Sequence, residues 1–131
     1  MPFIHIKSLP QAADTDYQSV MRQLSSRFAK DLDMREKNIT VTWEILQPDR
    51  YLNDGRFVSA QPQDSHPVIV DLLVPDFNPE PRIEKMMECI VELLSVKLGI
   101  PVGNVFVNCR LSSSGMVLDK GEVVKWRGSP K

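Results

Sequence analysis

From Pro2 to Leu9 apolar residues alternate with His5, Lys7 and Ser8, a period of two that predicts a strand with one buried face. The period then changes. Tyr17, Val20, Met21, Leu24, Phe28 and Leu32 recur at steps of three and four, drawing one apolar stripe along a helix that Asp14 or Thr15 opens. From Ile39 to Leu46 the period of two returns, with Ile39, Val41, Trp43 and Ile45 on one side and Thr40, Thr42 and Glu44 on the other. The order is therefore β-α-β.

The same order recurs 66 positions later. Ile4 falls on Val70, Ile6 on Leu72, Leu24 on Ile90, Phe28 on Leu94 and Leu32 on Leu98, without a gap. Of the 18 apolar residues between Phe3 and Ile45, 14 land on another apolar residue, where the 42% apolar content predicts about eight. The chain thus reads as two copies of one unit. The second copy has a strand from Pro67 to Val74, a helix from about Pro79 to Leu98 that Asn78 caps, and a strand from Val105 to Leu111. Pro79 and Pro81 suit a first helical turn, and Gly99 with Pro101 stops the helix.

Parallel strands joined through a helix need a right-handed crossover. Two such units side by side make a four-stranded mixed sheet with both helices on one face, an α+β sandwich of ferredoxin-like architecture. The uncovered face then carries His5, Lys7, Thr40, Thr42, Glu44, Asp71, Asn108 and Arg110, with Phe3 and Phe106 among them. The whole chain, residues 1 to 131, is expected as a single domain, with repeats at about 2–46 and 67–111. A polar loop, 47–66, joins them, and an extension, 112–131, follows. Trp126 in that extension is expected to be buried against this chain or a neighbouring one.

Sixteen basic and 17 acidic residues leave a net charge of -1 without a basic run, which argues against nucleic acid as a partner. Cys89 and Cys109 belong to no metal-binding spacing and read as buried free thiols, suited to a reducing cytoplasm. No apolar run approaches the ~20 residues of a membrane span. A soluble cytoplasmic protein is expected. Phosphate loops, HExxH and GxSxG are absent from the sequence, so no cofactor or metal is assigned.

Two β-α-β units in one chain, opened by Met1-Pro2, resemble the tautomerase superfamily, in the branch of macrophage migration inhibitory factor and 5-carboxymethyl-2-hydroxymuconate isomerase. Pro2-Phe3-Ile4-His5-Ile6 is similar to the family's first strand. Pro48-Asp49-Arg50-Tyr51 is similar to the loop after its second strand. Leu98-Gly99-Ile100-Pro101, leading to Asn104-Val105-Phe106-Val107-Asn108, is similar to its helix end and fourth strand, where an aromatic and an asparagine reach the active site.

The resemblance implies a trimer with pockets between subunits and proton transfer by an N-terminal proline. Removal of Met1 would free Pro2 as a secondary amine. An ordinary α-amino group titrates near ~7.7 to 8.0, and desolvation lowers that value, which makes the amine a usable base near neutrality. Such a base takes a proton from the carbon beside a carbonyl and returns it elsewhere on a small enolisable 2-oxo or unsaturated acid.

The family's arginine positions fall on Ala12 and Thr40, and the inhibitory-factor lysine falls on Met34, with Arg35 beside it. Replacement cations are Arg50, taken first, and Lys7, with Arg56 and Arg110 behind them. Arg110 equally suits pairing with Glu44 or Asp71. Phe106 and Asn108 complete the expected substrate contacts. Loss of the usual arginines leaves a second reading open, a trimeric binding or assembly protein without turnover.

Overall fold

The computed structural model describes residues 1–59, 61 and 66–127. Its first unit is strand β1 (Phe3–Ser8), helix α1 (Tyr17–Asp31) and strand β2 (Thr40–Ile45). A small hairpin of β3 (Leu52–Asn53) and β4 (Arg56–Phe57) lies in the connecting segment. The second unit is β5 (Val68–Pro75), α2 (Glu80–Leu98) and β6 (Val105–Ser112), and β7 (Val117–Asp119) with β8 (Glu122–Val124) form a second hairpin.

The four long strands make one sheet in the order β2-β1-β5-β6. β1 runs parallel to β2 and β5 parallel to β6, while β1 and β5 meet antiparallel with Phe3 opposite Leu73 and Lys7 opposite Ile69. This is the mixed sheet and the α+β class that the repeat predicts. Because side chains alternate, the register puts Ile4, Val41, Leu72 and Cys109 in one row on the helix-covered face. Val20, Leu24 and Phe28 of α1 and Met86, Ile90 and Leu94 of α2 close over it, all buried. Phe28 and Leu94, equivalent in the two repeats, both lie at the bottom of this core at 0% exposure.

The helix openings differ from expectation. Asp16, one residue past the expected pair, caps α1 by accepting from the backbone N–H of Ser19. Asn78 does not cap α2. Pro79 takes that place without a side-chain bond, and Asn78 instead donates from Nδ2 to the Pro75 carbonyl at 2.8 Å. Proline supplies a preset φ and lacks the N–H that a cap would satisfy, so the first turn forms without Asn78. α2 ends at Gly99, held at φ 67 in the left-handed region that glycine enters without strain.

Cys89 is buried and Cys109 half-buried, so only the first is a core thiol; burial pushes it up to about 11. Trp126 packs on its own chain: its ring meets Phe77 edge-on at 5.7 Å and its Nε1 donates to Asp76 at 2.8 Å. Among the described residues no helix is long and apolar enough to cross a membrane.

Candidate active site

Pro2 precedes β1 on the covered side of the sheet, one position before the strand's pairing begins. Its carbonyl accepts from the Thr40 N–H at 3.1 Å, which ties the start of β1 to the start of β2. The ring is buried. Met1 forms an amide with it, so in this chain the Pro2 nitrogen is neither a base nor a donor. The Met1 amine donates to the Asn38 carbonyl at 2.7 Å. Burial draws this amine below its ordinary value, opposed by the Asp119 carboxylate and furthered by Lys120 at the tip of the β7–β8 hairpin.

Around Pro2 lies a cavity of about 210 Å³. Met34, Val74, Phe77 and Met86 make its apolar wall, and Asn38, Asn78 and Arg82 bring the polar groups. Arg82 stands in the first turn of α2. Its Nε donates to Asn78 Oδ1 at 3.0 Å and its Nη2 to the Leu32 carbonyl at 2.7 Å. Leu32 is the residue that ends α1, so the guanidinium sits where the helix leaves carbonyls unpaired and where a cation is favoured. Asn78 is itself buried, which holds that arrangement in place.

The expected substrate-binding residues lie elsewhere in the chain. Lys7, Phe106 and Asn108 share a groove of about 330 Å³ on the open sheet face with His5, Asp71 and Arg110. Lys7 points to the open face with Phe3 and His5, whereas Pro2, directly before β1, lies on the covered side with Ile4 and Ile6. Arg110 is paired with Asp71 through Nε at 3.0 Å and Nη2 at 2.7 Å, and this fork holds the Asp71 carboxyl below the usual range against the opposing effect of burial. His5 bonds the Thr42 hydroxyl through Nδ1 and has Glu44 at 3.6 Å from Nε2.

Arg50 is farther still. It follows β2 at the end remote from Pro2, donates to Asp49 at 2.6 Å, and lines a cleft of about 410 Å³ with Leu46, Tyr51, His66, Ile69 and Phe106. Phe106 is thus common to the groove and the cleft, and neither contains Pro2. Arg82 escaped the reading of the sequence. The one signal for it was a reversal of charge in the repeat, since position 82 falls on Asp16.

No family model and no curated protein matches the sequence. Solved structures do match. Pt0534, crystallised after inactivation by 2-oxo-3-pentynoate, is 13% identical with a TM-score of 0.80, covering 93% of this chain and 95% of that one. A fused 4-OT solved as an asymmetric trimer is 9% identical with a TM-score of 0.81, covering 92% and 94%. The macrophage migration inhibitory factor of Trichinella spiralis is 15% identical with a TM-score of 0.69, covering 91% and 96%. These neighbours are tautomerase-superfamily members, and this chain shares their fold.

Proposed function

We propose that the chain is a tautomerase-type enzyme in which Pro2, freed by removal of Met1, acts as general base on a small enolisable 2-oxo or unsaturated acid. The observation that carries this reading is the buried Pro2 in the lining of a mostly apolar cavity that also holds a cation, Arg82. Desolvation there disfavours a charged amine, and the neighbouring Met1 amine, drawn below its ordinary value by burial, supports the same direction for a freed Pro2. The neutral amine takes a proton from the carbon next to the substrate carbonyl. The resulting ammonium returns it to the oxygen or to a more distant carbon. A cation beside the developing enolate lowers the barrier.

The working form is a homotrimer. Support comes from the fused 4-OT neighbours, solved as trimers, and from the apolar residues that the single chain leaves bare. Phe3 and Phe106 are about half exposed on the open sheet face, Leu111 is about half exposed near the end of β6 on the other face, and Met116 of the C-terminal segment is 80% exposed. Among the described residues the outer strands β2 and β6 also present unpaired edges, which proteins pair or cover. In such an assembly a second copy brings its Phe106, Asn108, Lys7 and Arg50 surfaces toward the first copy's Pro2.

The binding-protein reading retains one observation in its favour. Within one chain Arg50, Lys7 and Arg110 all lie away from Pro2. Arg82 tips the balance to the enzyme. Protein made without an N-terminal tag is first weighed by intact mass and then assayed for phenylpyruvate enol–keto conversion. Met1 is expected to be absent, and Pro2→Ala is expected to lower the rate by about 10²- to 10⁴-fold, the usual range for a general base. Retained Met1, or a Pro2→Ala protein of undiminished rate, rejects the enzyme reading.

A further inference from the structure

A cavity of about 360 Å³ lies where the segment after β1 meets the end of α2. Pockets of that size hold small molecules. Pro10, Ile100 and Pro101 give it an apolar wall, and no charged residue is among its described lining. It shares no described residue with the cavity around Pro2.

Gln61 stands apart in that lining. The residue as a whole is half-buried, yet both polar atoms of its carboxamide are out of solvent, and among the described residues neither Nε2 nor Oε1 has a hydrogen-bond partner. Among the described residues no other buried side-chain oxygen or nitrogen is left in this state. A buried amide without partners keeps the full cost of its lost hydration, and a group that pairs with it removes that cost. The neighbouring amide of Gln11 is already engaged: its Nε2 donates to the Leu9 carbonyl at 2.9 Å and its backbone N–H to the Tyr17 hydroxyl at 2.9 Å.

The surroundings restrict what can pair with Gln61. Leu98 and Gly99 close α2, and the last carbonyls of a helix lack partners within it, which favours a donor and disfavours an anion. A carboxamide itself presents a donor beside an acceptor, so its complement presents an acceptor beside a donor. The terminal torsion of glutamine is broad, and the group turns toward the hollow at little cost.

We propose that this cavity is a second binding site, for a small uncharged molecule that carries N–H beside C=O, a primary carboxamide or a lactam, with Gln61 as the group that recognises it. The site stands independently of any chemistry at Pro2.

Benzamide, benzoate and benzamidine share one shape and are neutral, anionic and cationic at pH 7. Each is titrated into the full chain, and binding is read from backbone amide resonances by NMR. Benzamide is expected to shift Gln61, Gly99 and Asn104 saturably and to bind at least about tenfold more tightly than either charged analogue. Gln61→Ala is expected to weaken benzamide about tenfold and to leave the charged probes within about twofold. Gln61→Glu is expected to reverse the order in favour of benzamidine, because a carboxylate accepts from both amidine nitrogens. That reversal separates recognition by residue 61 from a disturbed fold.

The absence of saturable shifts at those three residues in the wild-type protein overturns the site. Equal binding of the three probes overturns it too, as does an unchanged benzamide affinity in Gln61→Ala. Shifts confined to Asn38, Asn78 and Arg82 place benzamide in the Pro2 cavity and likewise reject the proposal.

Discussion

Shifted by 66 positions, the Pro2 cavity lands on a second cavity of about 360 Å³ at the other end of the molecule. Met34 corresponds to Ile100 there, Asn38 to Asn104, Phe77 to Gln11 and Asn78 to Ala12, all of which line one cavity or the other. Two places differ. Pro2 corresponds to Val68, an internal residue of β5 whose nitrogen is permanently an amide, and Arg82 corresponds to Asp16. No charged residue is among the described lining of the second cavity. Repetition therefore places a hollow at partly corresponding positions twice, and among the described linings the copy that meets the first residues holds both a potential amine and a cation.

The Asp16–Arg82 contrast has a local origin. α1 begins at Tyr17, directly after Asp16, whereas α2 begins at Glu80, three positions earlier in the repeat frame. The longer helix takes position 82 into its first turn and turns its side chain toward the end of α1. Asp16, left outside its helix, spends its carboxylate on the Ser19 N–H.

The comparison assumes one shared core beneath the two hollows, and large-to-small substitutions test that most severely. Phe28→Ala is expected to cost about 3–5 kcal/mol and its equivalent Leu94→Ala about 2–5 kcal/mol, each in a single cooperative transition read by urea denaturation. Separate midpoints by circular dichroism and by tryptophan fluorescence would mean that the units unfold apart, and the symmetry argument would lose its basis.

A smaller effect sharpens the difference between the helix openings. Asp16→Ala removes a bonded cap and is expected to cost about 1 kcal/mol, while Pro79→Ala removes none and is expected to cost less than about half of that. Similar losses at both sites would show that the two first turns are held alike.

The smallest effect concerns the open face, where both partners of the Arg110–Asp71 pair are exposed to solvent and screening keeps its worth small. Arg110 favours the ionised carboxylate of Asp71 in the folded chain, so its folded value lies below the unfolded one. The contribution is then complete above pH ~4 and fades as pH falls through the lower folded value. Asp71→Asn should accordingly be less stable than wild type at pH 7 and converge with it in strong acid. A constant difference across that range would place the effect in packing.

Several site features were open to sequence reading because they follow from period. The alternation in β1 put His5 and Lys7 on the uncovered face and Ile4 and Ile6 under the helices. By the same alternation Lys7 and Pro2 lie on opposite faces, so Lys7 could reach a Pro2 site only in another copy. The Arg110–Asp71 pairing was one of two foreseen, and the register of β5 with β6 chose it. Asn78 defeated the reading because its type suits a cap, and the competing bond to Pro75 wins in space.

Strand, helix and repeat were determined by the sequence alone, since a period of two or of 3.6 is written in neighbouring residues and each apolar face must find cover. The order of the sheet follows from the same rule applied twice. What only the tertiary structure decided is that Arg82, 80 positions from Pro2, shares its cavity. That meeting depends on how the end of α1 packs against the start of α2, and neither helix carries a record of the other's geometry in its own spacing.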